Sequence, residues 1–292
     1  MANLFVITPN TKINLKKYRL HLKSSEDEFE VPISKIENIF LFTNNKLQTD
    51  IRKPIFHINQ QGNIDFLHIP RYRGKIYKNI NLISKFIFKQ AYYSTLSYLK
   101  FLRRQVGFSV KHYFVELDMI EKVMLTSFHN LTTKETYKLT QALANGVLYR
   151  GFYLINNTLP TVRNYQQKGK PHMVINFFHS LYIAYISSYL AKNKINLYQG
   201  IHILNKPTYP DFAVLLFSPF KVKATLDAVD TYLKYLKNSD FELFAVKKEG
   251  ILVITKIFAE KFLHNINQIR KLNDFLDTFQ KIEEGKLKLE DF

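Results

Sequence analysis

The stretch IDFLHIPRYRGKIYKNINLISKFIFKQAYYSTLSYLKFLRRQV, residues 64–106, contains the change of pattern that decides the fold. It begins with a short alternating apolar run at 64–69 and continues into a basic turn at 70–74 that contains proline and glycine. From Ser84 onward the apolar residues recur at the three- and four-residue spacing of an amphipathic helix. The sequence therefore predicts strands before this stretch and helices after it.

Upstream of residue 64, short β-rich runs are separated by polar turns. The runs predicted as strands cover residues 4–7, 18–23, 29–33, 36–42 and 54–59. The last of them is followed by Gln60-Gln61-Gly62-Asn63, a turn signal that predicts a hairpin with 64–69. A series of short strands of this kind predicts a small N-terminal β-sheet or sandwich domain over residues 1–78.

Downstream, we expect a linker at 79–83 and a larger helical domain at 84–292. After the first helix, helical spacing covers about 114–129, 132–156, 172–192, 222–237 and 256–282. Thr132-Thr-Lys-Glu135 has the spacing of a capping box at the start of one of these helices. Two β-rich runs around Lys-Lys-Glu-Gly predict one late hairpin at 241–255. The predicted fold class is α+β.

Residues 173–191 carry no Lys, Arg, Asp or Glu, and nineteen residues are enough to span a bilayer. Polar side chains are scattered along the segment, however, and polar groups are costly in lipid. They are Asn176, His179, Ser180, Ser187 and Ser188. We therefore interpret the segment as a buried central helix, with His179 as a core histidine, and expect no membrane partner.

The charge balance favours a polyanionic partner. The chain has 42 Lys and Arg against 24 Asp and Glu, a formal net charge of +18 and a pI of about 9.7. Such an excess favours nucleic acid first and an anionic membrane surface second. Basic residues are also mixed with tyrosines, which can stack on unpaired bases. The residues that we expect to contact DNA are Arg150, Arg163, Lys168, Lys170 and Lys221, with the loop 163–170 as the densest group.

The 292-residue chain contains no cysteine, which excludes disulfides, zinc–thiolate sites and a cysteine nucleophile. The N-terminal residues do not have the pattern of a signal peptide, and we expect a cytoplasmic location. There is also no phosphate-binding glycine loop and no paired-histidine zinc motif. Asp211 is the only carboxylate between Glu135 and Asp227, so a two-carboxylate site in that region has few candidates.

Five motifs, in order along the chain, resemble one family. They are ISKIENIFLFTNNKLQT at 33–49, NGVLYRGFY at 145–153, the basic loop, proline and NFFHSLY over 163–182, the block from Gly200-Ile-His202 to Pro219-Phe-Lys221, and the late hairpin followed by a helix. Together they resemble the CRISPR-associated endonuclease of spacer acquisition, the adaptation integrase (Cas-one), over nearly the full length. The resemblance implies a β domain followed by a larger helical domain.

The resemblance also implies an active site, which this chain does not preserve. The family holds a divalent metal, Mg²⁺ or Mn²⁺, with a Glu, a His and an Asp. The matching positions here are Asn145, His202 and Leu215, and a nearby acidic position falls on Ser218. Only His202 is kept as a metal ligand, and Asp211 is the one carboxylate near enough in sequence to substitute. We expect no tightly bound metal, and Mg²⁺ or Mn²⁺ only if the protein is active.

We therefore interpret the chain as a CRISPR adaptation integrase homologue that binds prespacer duplex and repeat DNA and is catalytically impaired. The resemblance implies a homodimer formed through the β domain and the companion subunit Cas-two as a partner. An impaired chain would act either as a non-catalytic subunit paired with an active paralogue or as a scaffold that measures and presents DNA. One alternative is an active metal-dependent endonuclease or integrase that inserts spacers into a CRISPR array. The other is a general basic nucleic-acid-binding or membrane-associated protein unrelated to CRISPR.

Overall fold

The structure is a computed structural model, and its elements follow the order that the sequence predicts. The described residues are 2–6, 10–25, 27–42, 45–47, 51, 53–59, 63–68, 74–106, 114–155, 170–200, 210–236, 266–288 and 291. The hairpin predicted at 241–255 lies outside them. Strands occupy the N-terminal part and helices the remainder, which confirms the α+β class. The division into domains at 78 and 84 stays a prediction.

The N-terminal part contains two four-stranded sheets. Its strands are β1 (Ala2–Val6), β2 (Lys12–Lys16), β3 (Arg19–Lys23), β4 (Glu28–Pro32), β5 (Ile36–Phe42), β6 (Lys46–Leu47), β7 (Ile55–Ile58) and β8 (Ile64–His68). The first sheet has the order β1-β5-β7-β8, in which only β8 is antiparallel to its neighbour, and the second has the order β4-β3-β2-β6. The hairpin of β7 and β8 is confirmed.

The strand β2 was not predicted. It pairs with β3 in a hairpin whose two turn residues, Lys17 and Tyr18, both have positive φ, at 45° and 64°. Turns of this geometry usually use Asn and Gly. Because Lys and Tyr carry no turn signal, the sequence pattern did not reveal that the chain reverses there.

Strand β5 is buried on both faces, which explains its nearly continuous apolar sequence. One face packs with β2 and β3 in a small core that includes Ile13, Leu20 and Ile39. On the other face the Phe40 ring stacks between Phe5 and Phe56, with ring centroids 4.6 and 5.1 Å apart. This second face joins the main hydrophobic core of the helices.

The helices are α1 (Ile80–Val106), α2 (Val115–Ser127), α3 (Thr133–Ile155), α4 (Lys170–Lys192), α5 (Asp211–Phe217), α6 (Lys221–Thr231) and α7 (Ile266–Glu283). Helix α1 begins at Ile80, so residues 80–83, predicted as linker, form its first turn. A 3₁₀ turn at Ser218–Phe220 joins α5 to α6. Helix α5 was missed because its residues are buried on nearly every side, which removes the amphipathic period.

The capping box is confirmed at the start of α3. The Thr132 backbone N–H donates to Glu135 Oε2 at 2.8 Å, and the Glu135 N–H donates to Thr132 Oγ1 at 3.2 Å. The Thr132 hydroxyl, which donates to Glu135 Oε2 at 2.6 Å, and the Thr132 N–H lower the pKa of the Glu135 carboxyl, because these two hydrogen bonds favour its ionised form. Two of the unpaired N–H groups at this end of the helix are thereby satisfied.

Helix α4 is the central helix of the fold. Among the described residues it alone is long and apolar enough to cross a membrane, and 78% of that stretch is buried inside the protein. His179 is 8% exposed, its Nε2 lies 2.8 Å from Thr225 Oγ1 and its ring meets the edge of Phe217. The interpretations as a buried central helix and a core histidine are both confirmed.

The segment 74–79, which leads from the sheets into α1, is attached to two distant helices. Its Tyr77 N–H donates to Gln199 Oε1 at 2.7 Å, beyond the end of α4. Glu283, at the end of α7, accepts from the Lys78 N–H at 3.0 Å and the Asn79 N–H at 2.7 Å. The backbone N–H groups of this connection are therefore held by side chains from two distant parts of the sequence.

Candidate active-site region between α3 and α6

Apart from Lys170, the described site positions lie on α3 and on the continuous stretch from α5 to α6. Asn145 is in the middle of α3, Asp211 and Leu215 are on α5, Ser218 is in the 3₁₀ turn and Lys221 is the first residue of α6. Lys170 is the first residue of α4. The predicted residues His202, Arg163 and Lys168 lie outside the described residues.

Lys221 and Asn145 are in direct contact. The Lys221 Nζ donates to Asn145 Oδ1 at 2.9 Å and also to Gln141 Oε1. Gln141 and Asn145 are four residues apart on α3, so their amides lie on the same side of the helix. Lys221 is only 5% exposed, which disagrees with the expectation of a surface contact to DNA. Gln141 was not predicted, although its spacing from Asn145 was a usable signal.

A second polar contact fixes the first turn of α6. Thr225 Oγ1 donates to the Lys221 backbone carbonyl at 2.7 Å and lies 2.8 Å from His179 Nε2 on α4. Thr225 is 1% exposed, so this contact is shielded from water. The backbone of Lys221 is therefore held from α4 while its side chain is held from α3.

The two positions expected to be acidic contribute no charge. Leu215 is fully buried in the main hydrophobic core, and Ser218 is 7% exposed. Among the described residues, no three His, Cys, Asp or Glu side chains lie close enough together to hold a metal ion. Mg²⁺ prefers anionic oxygen ligands, whereas Gln141, Asn145 and Lys221 offer two neutral amides and an ammonium. These three residues therefore do not fit a divalent metal.

Asp211 is the nearest alternative ligand from the sequence analysis. It is 5% exposed and packs directly against Gly200, where an added Cβ would lie 2.8 Å from the Asp211 Cβ. Only glycine allows this approach without a shift of the neighbouring atoms. Gly200 precedes His202, the histidine of the motif, by two residues in the sequence. Asp211 therefore packs against a residue that is close to His202 along the chain.

Arg150 is engaged by an acidic helix. Its guanidinium, about a quarter exposed, forms an ion pair with Glu116 of α2. Arg103 of α1 is bound in the same way by Asp118 and Glu121 of α2, the latter at 3.3 Å. Helix α2 thus supplies carboxylates to basic side chains on both of its neighbours. The DNA contact of Arg150 stays a prediction.

A further lysine lies on the other side of the α6 start. The Nζ of Lys271, on α7, is 5.0 Å from the centroid of the Phe220 ring and 5.8 Å from that of Phe275. Burial lowers the pKa of Lys271, because desolvation disfavours its charged form. Phe220 immediately precedes Lys221, so two lysines approach the same turn from different helices.

No protein-family model and no curated protein matches the chain. Solved structures do match over nearly its whole length. A Cas1 protein from Thermotoga maritima has a TM-score of 0.69 at 14% identity and covers 97% of this chain and 96% of its own. A casposase bound to an integration product has a TM-score of 0.69 at 14% identity, covering 99% and 92%.

A third similar structure is a chain of a Cas6-RT-Cas1–Cas2 complex. It has a TM-score of 0.73 at 9% identity and covers 97% of this chain, which corresponds to 34% of that longer chain. Taken together, these structures define the class of the fold: N-terminal β-sheets followed by a larger helical region. The fold is that of Cas1 proteins and casposase, which confirms the family resemblance at the level of the fold.

Proposed function

We propose that the protein is a DNA-binding member of the CRISPR-adaptation integrase type that does not perform metal-dependent strand transfer between α3 and α6. The observation that carries the proposal is the hydrogen bond of 2.9 Å between the buried Lys221 Nζ and Asn145 Oδ1. By the sequence resemblance, Asn145 stands where a metal-binding glutamate is expected. An amide that already accepts a hydrogen bond from an ammonium is a poor ligand for a second cation.

The proposed ligand is DNA, in particular duplex with splayed ends and the repeat into which spacers are inserted. The net charge of +18 and the full-length similarity to a casposase bound to an integration product support it. Contacts of Lys and Arg with phosphates release counterions, so affinity should fall steeply with salt. Arg150 and the basic loop 163–170 are the residues that we propose for these contacts.

The proposed protein partners follow from the same comparison. One similar structure contains Cas1 together with Cas2, which supports a Cas2-type companion for this chain. We further propose a homodimer formed through the β domain and pairing with a catalytically active paralogue.

The cysteine-free composition fits a cytoplasmic protein.

Binding and chemistry can be measured on the same samples. Fork-ended and plain duplexes of equal length are titrated with protein in EDTA and in MnCl₂, and each mixture is then run on a denaturing gel with a repeat-bearing target. We expect tighter binding to forked DNA, equal affinity in EDTA and MnCl₂, and no nicked or joined product. Arg150→Ala should weaken binding, while Lys12→Ala, which removes one charge from β2, is the matched control.

A Mn²⁺-dependent product that Asn145→Ala abolishes would contradict the proposal. Equal affinity for forked and plain duplex would instead favour a general nucleic-acid-binding protein.

A second candidate function is an active nuclease or integrase that uses Asp211. The observation that favours it is the packing of Asp211 against Gly200, beside the segment that leads to His202. It predicts a Mn²⁺-dependent product that is lost in Asp211→Asn and in His202→Ala but retained in Asn145→Ala. The three variants therefore separate the two candidates.

A further inference from the structure

The amide oxygens of Gln141 and Asn145 bind the ammonium of Lys221, a cation that the protein itself supplies. We propose that the Lys221 ammonium is the resident cation between α3 and α6, and that it takes the place of a divalent metal there. The statement that the ammonium replaces a metal rests on the proposed function, which places a metal site of the integrase type between α3 and α6. The arrangement of the three side chains is observed directly in this structure.

The geometry of the three side chains is that of a bound cation. Two amide oxygens, four residues apart on α3, accept hydrogen bonds from one Nζ. Amide oxygens are neutral acceptors, and an ammonium has three protons to donate. Lys221 is 5% exposed, and the two amides that bind it are half-buried. The cation is therefore held in a fixed position by α3 and is not a mobile surface charge.

The position of the ammonium is fixed from the backbone side as well. Thr225 binds the Lys221 carbonyl, and Thr225 itself lies against His179 of the central helix. A shift of Lys221 out of the site would leave the Gln141 and Asn145 oxygens without this donor. Buried polar groups that lose their partner are costly, so the arrangement resists displacement by a competing ion.

A divalent ion and the Lys221 ammonium cannot share Asn145 Oδ1. Oxygen ligands lie about 2.0–2.6 Å from Mg²⁺ or Ca²⁺, closer than the 2.9 Å that separates Oδ1 from Nζ. Two cations at one neutral oxygen repel each other, and the described positions Leu215 and Ser218 supply no anion to compensate. The site should consequently not bind Mn²⁺, and binding of DNA should not require a metal.

Chemical rescue tests this assignment without DNA, so its failure is distinguishable from failure of the proposed function. Lys221→Ala removes three methylene groups and the ammonium, which are the heavy atoms of n-propylammonium. We expect Lys221→Ala to lower the thermal unfolding midpoint by about 5 °C or more. Added n-propylammonium chloride should restore part of that loss, and 1-propanol, of the same shape but neutral, should not.

Lys223→Ala is the control on the same helix, because the Lys223 side chain is 42% exposed and is paired with Asp227 of α6 and not with the amides of α3. It should lose less stability than Lys221→Ala and gain nothing from n-propylammonium. MnCl₂ should leave the unfolding midpoint of the unsubstituted protein unchanged. Lys221→Met keeps most of the side-chain volume and should still lose stability, which retains the test if Lys221→Ala does not fold.

Three results would overturn the assignment. The first is a Lys221→Met protein as stable as the unsubstituted one. The second is an equal response of the Lys221→Ala and Lys223→Ala proteins to n-propylammonium. The third is stabilisation of the unsubstituted protein by Mn²⁺ that disappears in Asn145→Ala.

Discussion

Two polar junctions hold the helical part together, and they use charge in opposite ways. Between α3 and α6 a buried ammonium, that of Lys221, is bound by neutral amides. Between α7 and the start of α1, the Glu283 carboxylate binds the backbone N–H groups of the exposed residues Lys78 and Asn79. An anion is favoured at the N-terminal end of a helix, where the peptide dipoles leave partial positive charge.

The two junctions differ in how much stability the fold should lose when the charged side chain is removed. Water can replace Glu283 at the exposed N–H groups of Lys78 and Asn79, so removal of the carboxylate costs one cap. Water can replace Lys221 less easily, because the lysine is only 5% exposed and its partners Gln141 and Asn145 are half-buried. The buried junction should therefore be far more sensitive to substitution than the exposed one, although both consist of hydrogen bonds to one charged side chain.

The largest expected effect is at the buried junction. Lys221→Met should lower the free energy of unfolding by about 3 kcal/mol, because two half-buried amide oxygens lose a charged donor. Urea unfolding followed by circular dichroism measures it, with Lys223→Met as the control on the same helix. A loss no larger than that of the control would remove the distinction between the two junctions.

A smaller effect is expected at the exposed junction. Glu283→Ala should lower the free energy of unfolding by about 1 kcal/mol, the usual cost of a lost helix cap. The same urea measurement applies, and Glu284→Ala is the neighbouring control because Glu284 binds Gln280 and Lys286 instead of the start of α1. The comparison would be reversed if Glu283→Ala cost more than Lys221→Met.

Helix α2 provides a test of exposed charge pairs in binding. Glu116→Gln should free Arg150 for a phosphate and tighten binding to forked duplex by about twofold to threefold at low salt, in line with the small energies of exposed ion pairs. Fluorescence anisotropy measures the change. Glu284→Gln changes the net charge equally, so an identical gain in that variant would show a general charge effect and no role for Arg150.

The smallest effect concerns pH at the capping box. Hydrogen bonds from Thr132 lower the pKa of Glu135 in the folded protein, so the unfolded chain binds its proton more readily. The contribution of the carboxylate to stability is therefore present above the ordinary Glu pKa of 4.5 and is lost as the pH falls through the lowered folded value.

Urea unfolding of the unsubstituted protein and of Glu135→Gln across this pH range measures that contribution. The two stabilities should converge as the pH falls. A difference that does not change with pH would mean that the charge of Glu135 does not contribute.

The fold was largely predictable because its signals are local. The capping box at Thr132, the turn between β7 and β8 and the apolar periodicity of α1 each identify their element from a few neighbouring residues. Two elements lacked such a signal. The β2–β3 turn uses Lys17 and Tyr18 at positive φ, and α5 has no polar face.

The site was predictable in position but not in arrangement. The motif resemblance gave Asn145, Leu215 and Ser218 as metal-site positions and the basic composition suggested Lys221 as a DNA contact, whereas the structure brings Asn145 and Lys221 into contact. A lysine in a basic chain looks like a surface residue, however, and its burial depends on how α6 packs against α3. The spacing of Gln141 and Asn145 indicates that their amides share one side of α3, but only the packing shows that both bind Lys221.

The most direct test of the account is a crystal structure of the protein grown in MnCl₂, with diffraction data collected at a wavelength where manganese scatters anomalously. We expect no anomalous peak between α3 and α6. Density for the Lys221 ammonium should lie at hydrogen-bonding distance from Gln141 and Asn145. A manganese peak bound to Asn145 Oδ1, with Lys221 turned away, would contradict the account.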